Sequence, residues 1–240
     1  NRSYRSFATL FFLTAFSLCT IAGYILNGRS FKGFRHLVTD TGYSSNFAEK
    51  YGMPLCLINI GCYGFLFLLY IHLITHFTEG AGFTGPTIGV TVAALTFSAM
   101  GQHPRNVWPI LAGYMLLYLV TLVLCRMDGR EIAWTISTQG YINGVAFATG
   151  LCPIVGRYGI RAGLAAGFMC ASMCTATSAL HGGLVLYNGG FTAGTTALIL
   201  LPILEHYIPS ARERLKDQTI RMNDLIIVEL PGKEKRRRKK

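Results

Sequence analysis

The sequence predicts an all-α polytopic membrane protein with about seven transmembrane helices. Three observations carry this expectation. The 240-residue chain is 51% hydrophobic and only 14% charged, against about 25% charged in an ordinary soluble domain. Carboxylates are nearly missing from its middle: Glu79 is the one acid between Glu49 and Asp128, and none lies between Glu131 and Glu205. The apolar residues fall into runs approaching the ~20 residues a spanning helix needs, with Lys and Arg mostly at their edges. A charge in hydrocarbon costs roughly 2.5–3.5 kcal/mol or more, so such a chain suits that solvent.

The first run covers residues 6–26, between Arg5 and Arg29. A polar, basic loop leads to the second, 54–77. A Gly-rich link, 78–86, precedes the third, about 87–100. The segment Gly101-Gln-His-Pro-Arg-Asn106 stops one helix and restarts the next: Pro104 breaks the incoming helix and Asn106 can cap the outgoing one. Run four is 107–125. Run five, about 132–154, carries Gln139, Asn143 and Thr149, which lipid would leave unsatisfied, so it should face protein or a wet cavity. Run six, 162–180, has Gly163 and Gly167 on one face, a spacing that lets helix backbones approach closely. Run seven is about 193–208. Runs three and seven are short enough to be re-entrant segments instead of crossings.

Eleven of the 22 Lys and Arg lie between Arg212 and Lys240. With this tail in the cytoplasm, the basic loops 27–53, 101–106 and 155–161 also fall inside, as the positive-inside rule asks. The net charge of +11 is therefore read as membrane topology, not nucleic-acid binding. The chain divides into a transmembrane domain, 1–208, and a cytoplasmic basic tail, 209–240. Because it opens on Asn1 with no targeting segment, it reads as part of a longer protein that has further helices before it. The seven cysteines sit mostly inside apolar runs and suggest neither a disulfide framework nor a metal site.

An internal similarity suggests duplication. Residues 72–85 and 181–194 each place a His near a helix end. Each then runs through a Gly-rich link to Gly-Phe-Thr, at 82–84 and 190–192, and into a small-residue helix. The repeat units would be about 54–105 and 162–208. Glycine permits tight turns, and a helix starting within the membrane presents unpaired N–H groups to protein, water or a solute. The lining candidates are Thr84, Thr87, Thr192, Thr195 and Asn188. His72, His76, Glu79 and His181 are candidate gates or proton carriers, weighed against the plainer reading that these histidines are polar anchors at helix ends. Asn59 reads as an interhelical hydrogen bond.

The functional expectation is a multi-pass cell-membrane transporter or channel for a small polar solute. The alternative is a non-transporting scaffold or sensor whose basic tail binds a partner or anionic lipid, at about 1 kcal/mol per basic residue near the surface. Partners would be the bilayer, an unidentified small solute and further copies of the chain. No nucleophile–base pair, phosphate loop or zinc spacing is present, so neither an enzyme nor a cofactor or metal is expected.

The segments Gly82-Phe-Thr-Gly-Pro-Thr-Ile-Gly89 and Met100-Gly-Gln-His-Pro-Arg-Asn-Val-Trp-Pro-Ile-Leu-Ala-Gly113 resemble the uncharacterised bacterial membrane family called domain of unknown function 1576. That family shows Asn-Gly-Pro-Thr-x-Gly and Gly-Lys-His-Pro-Lys/Arg-Asn at this spacing. Here Phe83-Thr84 stands where Asn precedes Gly85, and Gln102 replaces Lys. The segment 179–194 resembles the family's second repeat. The resemblance covers about residues 50–208, and the family's greater length implies that this chain is its C-terminal part. It implies architecture, with no activity to carry over. A looser, fold-level analogy is to channel-like transporters with duplicated halves, such as urea transporters.

Overall fold

The computed structural model describes residues 2–80, 82–177 and 185–209. Among them every regular element is helical: α1 (Arg2–Leu26), α2 (Phe34–Leu37), α3 (Phe47–Tyr51), α4 (Met53–Phe77), α5 (Gly85–Phe97), α6 (Pro104–Met127), α7 (Gln139–Ala148), α8 (Cys152–Tyr158), α9 (Ile160–Thr177) and α10 (Val185–Tyr207). Three stretches are long and apolar enough to cross a membrane: Arg5–Leu26, Met53–Phe77 and Pro104–Met127. Large apolar side chains face outward on α1 (Phe7, Leu10, Leu18, Ile21), α6 (Leu119, Val123, Leu124) and α10 (Leu198, Ile203). Outward apolar faces of this kind fit a membrane location, where the solvent is itself apolar.

Glycine contacts set how the helices lie. α1 and α4 are antiparallel: Gly23 meets Pro54 and Ile58, Gly64 meets the Phe16 ring, and Arg5 lies opposite His72. A Cβ at Gly64 would sit 2.6 Å from Phe16 Cδ1, so only glycine admits that ring. α6 and α9 are parallel, with Pro109 against Gly163 and Tyr114 against Cys170. Gly167 meets the Ile110 backbone, and a Cβ at Gly113 would sit 2.5 Å from the Leu164 carbonyl oxygen. The Gly-x-x-x-Gly face of run six thus lies where two helix backbones touch.

The short helices α5 and α7 lie side by side and parallel. Thr84 and Gln139 meet at their upper ends, and the Phe97 and Phe147 rings lie 6.4 Å apart near their lower ends. A 3-10 turn, Ser98–Met100, ends α5. A second, Thr149–Leu151, joins α7 to α8, so the chain descends from Gln139 to Tyr158 with one irregular turn. The loop after α1 returns under the lower end, where Gly42 packs backbone-to-backbone on Gly101, and Gly156 on Thr41. Gly42 and Gly101 have φ of 75° and 106°, so both turn conformation and close approach demand glycine.

Run three is short, as the sequence suggests, and the structure departs from the sequence expectation at runs five and seven. Run three is a helix of 13 residues, about 20 Å at 1.5 Å per residue. Run five does not start at 132: the chain is irregular up to Thr138, and the helix starts at Gln139. Run seven starts at Val185, so the second Gly-Phe-Thr, 190–192, lies inside α10, whereas the first, 82–84, is the non-helical lead into α5. The reason is packing. Gly189 is seated on α7, where a Cβ would lie 2.8 Å from Phe147 Cδ2 and 3.1 Å from the Asn143 carbonyl, so glycine here serves helix contact. Gly82, in contrast, has φ 59° and is followed by Pro86 at the start of α5.

Candidate functional site

Two helix starts converge at the upper end. Thr84 caps α5, its Oγ1 accepting the Thr87 amide hydrogen at 3.2 Å and donating to Gln139 Oε1 at 2.6 Å. Thr87 Oγ1 donates to the Gly82 carbonyl at 2.7 Å. Gln139 Nε2 donates in turn to Asn143 Oδ1, one turn along α7, at 2.8 Å. Nearby, Thr78 Oγ1 donates to Ser137 Oγ at 2.7 Å, and Thr135 Oγ1 to the Glu79 carbonyl at 2.6 Å. These bonds pin the 78–84 link onto the 135–143 segment.

From there a seam of buried polar groups descends between α4, α5 and α7. Thr87 and Thr91 of α5 and Ser98 of the 3-10 turn that ends it are buried on one side, at i, i+4 and i+11. Tyr63 of α4 and Thr149 of the turn below α7, both buried, lie beside each other. At the lower end Asn59 Nδ2 donates to the carbonyls of Ser98 at 3.0 Å and Gln102 at 2.7 Å. The Gly101–Asn106 junction then meets the Asp40 loop. His103 Nδ1 accepts the Asn106 amide hydrogen, which leaves the ring proton on Nε2 to donate to the Asp40 carbonyl at 3.0 Å. The capping box is closed by the His103 amide donating to Asn106 Oδ1 at 2.9 Å.

The Asp40 carboxylate receives hydrogen bonds from Gly42 N, Ser45 Oγ, Tyr51 Oη and Lys50 Nζ. Burial works to raise its pKa, but the bonds from Lys50, Tyr51, Gly42 and Ser45 outweigh burial and hold it at about 2. Burial also lowers the pKa of His103, and its bond to Asp40 only partly offsets that. A cavity of about 360 Å³ opens beside this junction, lined by Asp40, His103, Arg105, Trp108 and Gly156 among others.

The structure separates the residues singled out in the sequence. Thr84 and Thr87 stand together in the upper cluster. Thr192, fully buried in α10, donates to the Gly189 carbonyl at 3.1 Å and accepts from Cys170 Sγ at 3.6 Å. Asn188 ties α10 to α9 through the Cys174 carbonyl at 2.8 Å and Thr177 at 2.5 Å. Thr195 donates to a carbonyl of its own helix, that of Phe191, 2.8 Å away. His72 faces α1, with Thr9 Oγ1 3.1 Å from its Nε2 and Arg5 3.5 Å from its Nδ1. His76 and Glu79 are exposed, and His76 lies edge-on to Phe77. His72 and His76 therefore do not form a pair with Glu79, because His72 turns toward α1 and His76 toward the outside. His181 and the 210–240 tail lie outside the described residues.

Gln139, Asn143 and Gln102 were not among the sequence candidates. The first two carried a readable signal, since polar residues four apart in a weak apolar run mark one helix face. Gln102 carried none, being one polar residue in a turn. Residues 26–206 match the family described as "Protein of unknown function (DUF1576)". The chain belongs to this DUF1576 family. No curated protein and no solved structure matches it. The match to DUF1576 takes in α4 to α9, and with them both ends of the seam and the Gly101–Asn106 junction.

Proposed function

We propose that this DUF1576 protein is a multi-pass transporter or channel for a small polar solute, with the seam between α4, α5 and α7 as its path. The observation that carries the reading is the paired start of α5 and α7, with Thr84 and Gln139 joined between them. Helices that begin at depth and converge on polar groups are the usual build of a solute path, because backbone irregularity in a bilayer must face protein or water. In this reading the chain crosses the bilayer seven times, two of the crossings being completed by the irregular segments that precede and follow α5 and α7, since neither helix alone spans a core of about 30 Å. The end holding Arg29, Lys32, Arg35, Lys50, Arg105 and Arg157 lies in the cytoplasm, by the positive-inside rule. The reading rests on α5 and α7, not on the paired Gly-Phe-Thr segments.

The test is solute uptake by the purified chain in liposomes, run with a panel of small neutral and charged solutes. Thr87→Val is expected to cut uptake at least tenfold, whereas Thr195→Val, outside the seam, leaves it unchanged. Elution profiles confirm that both variants are folded. If no solute on the panel enters above empty liposomes, the scaffold or sensor role is the better account. Equal uptake by Thr87→Val and wild type would remove the seam as the path.

A further inference from the structure

The lower end of the seam has buried acceptors without donors. Asn59 is 0% exposed, and both protons of its Nδ2 are taken by the carbonyls of Ser98 and Gln102. Turning the amide over would aim Oδ1 at those two oxygens, so the orientation is fixed and Asn59 Oδ1 is left without a donor. Gln102 Oε1 is likewise unpaired, in a side chain 2% exposed. One turn above Asn59 on the same face of α4, the Tyr63 hydroxyl, 0% exposed, has only a marginal contact with Thr149, whose own proton goes to the Ala146 carbonyl, so no donor reaches the Tyr63 oxygen. An isolated unpaired oxygen of this kind costs about 1–3 kcal/mol, and the great majority of buried polar groups have partners.

We propose that Asn59 Oδ1, Gln102 Oε1 and the Tyr63 hydroxyl oxygen mark a binding site for a small monovalent cation, such as Na⁺. The two amide oxygens can only accept, so they call for a cation or a proton donor. The 3-10 turn Ser98–Met100 that ends α5 comes down on the same place, and the carboxyl end of a helix carries partial negative charge. The donor set is neutral oxygen. Ca²⁺ and Mg²⁺ sites draw on carboxylates, and Asp40, the carboxylate of the loop that meets the Gly101–Asn106 junction, is already held by Lys50 and Tyr51. Cation sites at the ends of short helices serve coupled transport, so the ion's use in transport rests on the proposed function, while binding itself does not.

The test is equilibrium binding by the full chain in detergent. Thermal unfolding is followed in NaCl, KCl or LiCl against choline chloride at equal ionic strength. At tenfold excess over Kd, a bound cation should raise Tm by about 3–6 °C, with saturation. Tyr63→Phe and Gln102→Met each delete an unpaired oxygen and leave the Asn59 bonds intact, so both should fold and both should lose the response. No shift with any alkali cation, or a shift that both variants retain, overturns the proposal and leaves ordered water as the partner of these oxygens. Uptake that ignores alkali cations in a protein that does not bind them would overturn this site and leave the proposed path standing. Binding without uptake of any solute does the reverse.

Discussion

Replacing Asp40 by Asn should abolish one specific acid-sensitive part of the protein's stability. The carboxyl falls from 3.8 to about 2 on folding, despite burial, because four donors face it. A shift of that size is worth about 2 kcal/mol, at about 1.4 kcal/mol per pH unit. Asp40 is almost fully enclosed, with a side chain 3% exposed, but Lys50 is 54% exposed, so solvent screening brings the expected contribution nearer 1–2 kcal/mol. The folded pKa is depressed, so this stabilisation is fully present above about pH 4 and is lost as pH falls toward 2. The assay is Tm in detergent between pH 6 and pH 2 for wild type and Asp40→Asn. Near pH 6 the variant should be lower by about 2–8 °C, and the two curves should converge toward pH 2. Curves that stay parallel through the window would refute the assignment, because the four donors would then contribute nothing through the charge.

Two further outcomes test the packing. Gly167→Leu should cost about 3 kcal/mol, since its Cβ enters the Ile110 backbone where α6 and α9 touch. Gly194→Ala on α10 meets open space and should gain about 0.5–1 kcal/mol from helix propensity. Tm of the two variants checks both signs. Maleimide labelling of the folded protein in detergent should spare the buried Cys56, Cys152, Cys170 and Cys174 and reach the half-buried Cys19, Cys62 and Cys125 first. Rapid labelling of Cys170 would contradict its place between Tyr114 and Thr192.

Where one residue type has one physical consequence, the sequence was readable. Long apolar runs without carboxylates announced α1, α4 and α6. Gly163 and Gly167 announced a close helix contact. Pro104 and Asn106 announced a helix restart, but the details differ: Gly101 ends the incoming turn, Pro104 opens α6, and His103 is the cap, with Asn106 as the third residue of its capping box. What could not be read is whatever depends on a partner distant in the chain. Gly189 and Gly190 look like turn residues until α7 is seen against Gly189. Arg105 reads as an anchor, yet its neighbours Gln102, His103 and Asn106 are buried, because the Asp40 loop, over 60 residues earlier, folds over them. His72 looks paired with His76 by spacing, but Thr9 and Arg5 from α1 decide where it points. A four-residue spacing fixes a shared helix face only approximately, and the neighbouring helix chooses between the two sides.

The seam's hydrogen-bond bookkeeping also narrows the class of solute it suits. Thr84, Thr87, Thr91, Ser98 and Thr149 each direct their single hydroxyl proton to an oxygen of the protein. A threonine or serine oxygen that has given its proton still accepts. The lining is thus rich in free acceptors, and its hydroxyl protons are already engaged. Convergent helix starts would by themselves favour an anion, but the Thr84 hydroxyl already takes the Thr87 amide at the start of α5. A seam of this composition should favour solutes that bring their own N–H or O–H groups, such as amines, ureas and polyols, over carboxylates and phosphate. Competition in the uptake assay reads this directly. Inhibition by formate or phosphate stronger than by urea or glycerol at equal concentration would mean that donors, not acceptors, govern the path, and the hydroxyl orientations given above would then be wrong.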